Sequence, residues 1–262
     1  MADHMTKPLA ELEKEILEDG VVDAKEAAML RERLFADGRI DREEADFMFR
    51  LNDAVSGKAN DPAWQQLFVH ALTTHVLSDE KSPGVVDDDE AAYLESKIQA
   101  DGKVDDAEQA LLVNIIRKAK STTPDFQKFV LASMKTAILA DGVIDEAEVQ
   151  QIRTIVYGSG SGGGAAIDRP EAEFLFELNN ATSGKPNHAS WKELFVEAIA
   201  KHVLEDEISP GQIDDDEAAW LVRQIEGDGT VDDNEKALLM EIKEKAKSIA
   251  GALKEWMTAL GL

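Results

Sequence analysis

The sequence predicts an all-α protein, a tandem repeat of helical units with D-G-x-[VI]-D-x-x-E corners that forms two similar halves. Three observations carry this reading. Apolar residues recur at the helical period: Trp64, Leu67, Phe68, Ala71, Leu72, His75 and Val76 fall at i, i+3, i+4, i+7, i+8, i+11 and i+12, and Trp191 to Val203 repeats the stripe. Phe47 to Ser121 aligns without gaps on Phe174 to Ser248 at one constant offset, with roughly 60% of positions identical. A short acidic text separates the helical stretches throughout. No run of comparable length alternates at period two, so no strand is expected.

In chain order, the halves are expected near 1–121 and 122–262. The text shared by both halves includes LN-x-A-x-SGK-x-N from Leu51 and Leu178, W-x-x-LFV from Trp64 and Trp191, and PG-x-x-DDDEAA from Pro83 and Pro210. Each half also holds a smaller echo, since GVVDAKEAAMLRERLFADGRID from Gly20 matches GVVDDDEAAYLESKIQADGKVD from Gly84. Four quasi-repeats follow, opening at Gly20, Gly84, Gly142 and Gly211, and about a dozen helices by extension. One corner departs from the pattern. Where the first unit reads Ala36-Asp37-Gly38, the third reads Tyr157-GSGSGGG-Ala165, and the glycine and serine run 158–164 predicts a flexible loop inside a helical hairpin.

The corner text is complete at Asp19–Glu26, Asp37–Glu44, Asp101–Glu108, Asp141–Glu148 and Asp228–Glu235. The corners at Gly84 and Gly211 carry proline in first place, and Ile167-Asp168-Arg169-Pro170-Glu171 keeps the second half only. As helix punctuation each residue has a task. Glycine in the left-handed conformation ends one helix, and the Val or Ile packs inward. Asp caps the next helix, with Glu at N3 closing a capping box.

The same text is also the second half of an EF-hand loop, positions 5 to 12. In the complete corners position 1 falls on Glu15, Arg33, Lys97, Ala137 and Gln224, all on expected helices, so a wrapping loop is missing there. The two Pro-Gly corners keep more. Asp79, Asp87 and Glu90 stand at positions 1, 9 and 12, as do Asp206, Asp214 and Glu217, with Asp88, Asp89, Asp215 and Asp216 beside them. Positions 3 and 5 are Lys81 and Pro83 in one, Ile208 and Pro210 in the other, which supply no carboxylate. These six acids are the candidate ligands for Ca²⁺ or another divalent cation; a solvated acidic helix start is the alternative. His75 and His202, four residues before Asp79 and Asp206, read as core-edge histidines bonding carbonyls near a helix end.

Composition narrows the partners. Against 28 Lys plus Arg stand 53 Asp plus Glu, and a formal charge of -25 repels nucleic acid and anionic membrane surfaces. A divalent cation or a basic protein is the expected partner. With no cysteine there is neither disulfide nor thiolate chemistry. No apolar run is long enough to span a bilayer, and residues 1–15 lack the order of a signal peptide, so no direct membrane insertion and a cytoplasmic location are expected. Phosphate-binding loops, dinucleotide glycine patterns and Ser-His-acid orders do not occur, so no enzyme is expected.

With its acidic helices and recurring D-G-x-[VI]-D-x-x-E corners, the chain resembles the TerB-like family of tellurite-resistance operons. The resemblance implies a bacterial cytoplasmic protein tied to stress or to membrane-proximal complexes, with an acidic surface that engages divalent cations. The chain departs from a single TerB-like unit in being tandem and in carrying the Trp64 and Trp191 helices.

Overall fold

Most of the described helices begin where an aspartate carboxylate caps them, and their apolar faces decide what they pack against. The structure, a computed structural model, describes residues 3–100, 102–158, 166–205 and 210–262, and every statement below concerns those residues. The chain divides into two compact units, Met1–Ser133 and Met134–Leu262. That division falls within a helix, beyond Ser121 where the repeated text ends, because the helix that starts at Pro124 continues unbroken to Ile138.

Unit 1 contains α1 (Leu9–Ile16), α2 (Ala24–Leu34), α3 (Arg42–Val55), α4 (Pro62–Leu77), α5 (Asp88–Ile98), α6 (Asp106–Lys118) and the start of α7 (Pro124–Ile138). Short 3₁₀ turns lie at Asp3–Met5 and Glu226–Asp228. Helix α4 is the hub: its stripe of Trp64, Leu67, Phe68, Ala71, Leu72 and Val76 is buried, and it packs against α2, α3 and α6. Phe49 of α3 stands edge-on to Phe68 at 5.5 Å and to Tyr93 of α5 at 5.9 Å. Burying such a side chain stabilises by about 1.5–3 kcal/mol, which outweighs any helix propensity in these segments.

Unit 2 contains the rest of α7, then α8 (Glu146–Tyr157), α9 (Arg169–Ala181), α10 (Ala189–Leu204), α11 (Asp215–Ile225), α12 (Asp233–Lys245) and α13 (Gly251–Ala259). Here α10 is the hub, packed against α8, α9 and α12. Phe176 stands edge-on to Phe195 at 5.2 Å and to Trp220 at 5.7 Å.

Strands, unexpected from the sequence, do occur, though only as two-residue pieces. In unit 1, β1 (Val85–Val86) pairs in parallel with β2 (Ser121–Thr122); in unit 2, β3 (Gln212–Ile213) pairs in parallel with β4 (Ser248–Ile249). Two residues are too short to show an alternation, so periodicity could not reveal them. They tie each Pro-Gly corner to the segment that follows α6 in unit 1 and α12 in unit 2. Among the described residues the protein is thus all-α apart from these bridges.

Candidate functional site

Corner geometry begins with its glycine. Gly20, Gly38, Gly102, Gly142 and Gly229 of the complete corners, and Gly84 and Gly211, all have φ between 76° and 82°, the left-handed region where a side chain is strained. The aspartate that follows caps the next helix. Asp23, Asp41, Asp87, Asp105, Asp145, Asp168, Asp214 and Asp232 each accept from the N3 amide, and the N3 glutamate side chain accepts from the aspartate's own N–H. Every corner therefore closes a reciprocal capping box.

This arrangement engages the acids that the EF-hand spacing singles out. In the first Pro-Gly corner Asp87 Oδ1 accepts from the amides of Asp89 and Glu90 at 3.0 and 3.3 Å, and its Oδ2 accepts from the Ser82 hydroxyl at 3.0 Å. Glu90 Oε2 accepts from Asp87 N at 2.9 Å. Asp79 turns its carboxylate onto its own loop, accepting from Lys81 N at 3.0 Å and Ser82 N at 3.1 Å. In the second, Asp214 accepts from Asp216 N and Glu217 N, and Glu217 accepts from Asp214 N at 3.0 Å. Asp206, the remaining candidate, lies outside the described residues, as does the 159–164 part of the glycine and serine loop. Among the described residues no group of three or more His, Asp or Glu side chains converges in a way that could hold a metal ion. A calcium ion takes about six to eight oxygens, and a loop whose carboxylates already accept from amides offers fewer as it stands.

The charge of these loops is nonetheless concentrated. Burial, and then the neighbouring Asp87 and Asp79 carboxylates, push the Glu90 carboxyl up to about 7, although the Asp87 amide works the other way. Asp87 is held below its usual range, chiefly by the Ser82 hydroxyl and next by the Glu90 amide. Among the complete corners the most buried glutamate is Glu235, 1% exposed, whose carboxyl desolvation pushes up to about 8. Glu26, Glu44 and Glu148 shift in the same direction for the same leading reason.

Three features were not legible from motif spacing. The first is a lysine. Lys120 Nζ donates to Pro83 O at 3.0 Å and its stem covers Gly84, and Lys247 does the same to Pro210 O at 3.2 Å and to Gly211. The only signal was the Ala-Lys-Ser shared by residues 119–121 and 246–248. The second is the role of the histidines. His75 Nδ1 meets Ile40 O at 2.8 Å and His202 Nδ1 meets Ile167 O at 2.7 Å, each a carbonyl of another corner and not of its own helix end. Their rings pack edge-on against Tyr93 and Trp220.

The third concerns the repeated LN-x-A-x-SGK-x-N text. Asn52 Nδ2 donates to the cap Asp105 at 2.8 Å, and Asn179 Nδ2 to Asp232 at 2.9 Å. Asn60 and Asn187 accept from the corner amides of Val22 and Ile144. The asparagines are thus structural staples. Around them, each unit has a surface cleft where the first turns of two helices meet: α4 and α6 in unit 1, about 410 Å³, and α10 and α12 in unit 2, about 560 Å³. Ser56, Lys58 and Trp64 line one; Ser183, Lys185 and Trp191 line the other. No helix among the described residues is long and apolar enough to cross a membrane. Compared with known proteins, the chain matches no family model, no curated protein and no solved structure.

Proposed function

We propose that this protein is a non-enzymatic acidic binding module, two tandem copies of one helical unit, and that its partner is a basic protein. One observation carries the reading: the acids of the corner text are engaged as helix caps, while their neighbours Asp88, Asp89, Asp215 and Asp216 are exposed at helix starts. With a formal charge of -25 behind them, these acids attract a polycation at long range and stay hydrated until it docks. The corner text also supports placing the chain among TerB-like proteins of the bacterial cytoplasm, with a stress-related role.

The test is binding of a lysine-rich peptide, read by fluorescence anisotropy. Changing Asp88, Asp89, Asp215 and Asp216 to Lys should weaken binding far more than changing the exposed Glu11, Glu18, Glu43 and Glu193 to Lys, which alters net charge equally. Equal loss in both variants would mean that only total charge matters, and the docking reading would fail.

A second reading, a divalent cation at the Pro-Gly corners, is favoured by the crowding of Asp79 and Asp87 on Glu90. A bound cation relieves that repulsion if the loop re-forms to free its carboxylates. Calcium should then raise the melting point of the parent and leave unchanged that of the Glu90→Gln, Glu217→Gln double variant, whose glutamines still close the capping boxes. The same response in both proteins, or none in either, rejects calcium at these corners.

A further inference from the structure

We propose that the cleft between the first turns of α10 and α12 in unit 2 binds a small polycarboxylate. Its volume of about 560 Å³ is that of a small-molecule site. What distinguishes it from the unit 1 cleft is a second lysine and a buried indole N–H with no acceptor among the described residues.

Asp232 accepts from Asn234 N at 2.8 Å, Glu235 N at 2.9 Å and Asn179 Nδ2 at 2.9 Å. The Asn187 amide oxygen accepts from Ile144 N at 2.9 Å, while Asp233, its side chain 92% exposed, makes only a surface pair with Lys236 at 3.7 Å and points its charge to solvent. His188 Nδ1 lies 2.8 Å from the Ser190 hydroxyl and 3.4 Å from Ser190 N, which leaves Nε2 as the ring nitrogen without a contact among the described residues. Opposite these, Lys185 and Lys192 are exposed, with no ion pair among the described residues, and the Ser183 hydroxyl has no partner there. The wall holds a further donor. Trp191 is 0% exposed, and its indole N–H has no acceptor among the described residues.

Unit 1 explains that orphan. There Trp64 Nε1 donates to Asn52 Oδ1 at 3.3 Å; in unit 2 the matching Asn179 Oδ1 is occupied by Asn234 Nδ2 at 2.8 Å, where unit 1 has Ala107. The unit 1 cleft also has Asp61 and Gln65 in place of His188 and Lys192, which makes it acidic. Two ammonium groups with no ion pair among the described residues, beside an Asp232 carboxylate already held by three N–H donors, recognise an acceptor-only ligand with more than one carboxylate. The unit 1 cleft is the built-in control.

The probe is citrate, titrated calorimetrically into the full chain in metal-free buffer at an ionic strength held constant with sodium chloride. The expected result is one saturable site per chain, weakened at least about tenfold by Lys185→Met with Lys192→Gln and unchanged by Lys58→Met. Both lysines are exposed, so the variants should fold, which a melting curve checks. Four results would each overturn the proposal: no saturable heat, a double variant that binds like the parent, a Lys58→Met variant that loses as much, or inorganic phosphate binding as tightly as citrate.

Discussion

Glu235 holds the N3 position of α12 with one oxygen on the Asp232 amide at 2.9 Å and the other, Oε1, buried with no partner among the described residues. Its carboxyl is pushed from the ordinary 4.5 up to about 8 by desolvation, so the folded state holds the proton more tightly than the unfolded chain. The stability this supplies is fully present below pH 4.5 and is lost as pH rises through about 8. Glu235→Gln keeps the amide contact and removes the charge; thermal melts should show the variant gaining on the parent between pH 6 and 9, with a flatter pH profile. A variant whose melting point tracks the parent across that range would show that the carboxyl is not held neutral. The caps differ in worth for a related reason. Asp105 both caps α6 and pairs with Asn52, which is 2% exposed, whereas Asp41 only caps the exposed start of α3. Asp41→Ala should cost about 0.5–2 kcal/mol, and Asp105→Ala about 1–3 kcal/mol more because it orphans a buried amide. Denaturant melts of the two variants give that difference directly.

At the scale of the element, a corner joins two helices by one left-handed glycine and one capping box, and the Pro-Gly corners add a lysine strap. A Cβ on Gly20 would meet nothing within 4 Å, while one on Gly84 would come within 3.0 Å of Lys120 Cε. Gly20→Ala should therefore cost about 1–2 kcal/mol, the price of the left-handed backbone alone. Gly84→Ala should cost more, since it also displaces Lys120 from Pro83 O. If Lys120→Ala narrows the gap between the two glycine variants, the strap is the cause; if the gap is unchanged, the lysine contributes nothing to the corner.

For the whole molecule the decisive quantity is charge. Folding gathers 53 acids and 28 bases into a small volume, and the self-repulsion of a -25 chain opposes compaction. Screening relieves it. Raising sodium chloride from about 0.02 M to about 0.5 M should raise the melting point, because the Debye length falls from roughly 20 Å to a few ångströms. A melting point that falls over this range would mean that paired surface charges outweigh net repulsion. The same screening should weaken the lysine-rich peptide, so salt should move stability and binding in opposite directions.

The sequence by itself determined the helical class, the position of each corner and the residues that cap it, because these depend on neighbours within a turn. A glycine, an aspartate three residues on and a glutamate three beyond that are enough to end one helix and start another. Only the tertiary structure decided which acids are already engaged, and that is where the candidate site changed its meaning. EF-hand spacing marked Asp79, Asp87 and Glu90 as possible ligands, but spacing does not show whether a carboxylate faces an ion or an amide. Lys120 lies 37 residues from Pro83, His75 35 residues from Ile40 and Asn52 53 residues from Asp105. Contacts of that range arise when buried apolar faces bring helices together, and one-dimensional periodicity carries no record of them. The clefts follow from the same packing: a single difference, Ala107 in one unit and Asn234 in the other, redirects one amide oxygen and leaves the Trp191 indole with no acceptor among the described residues.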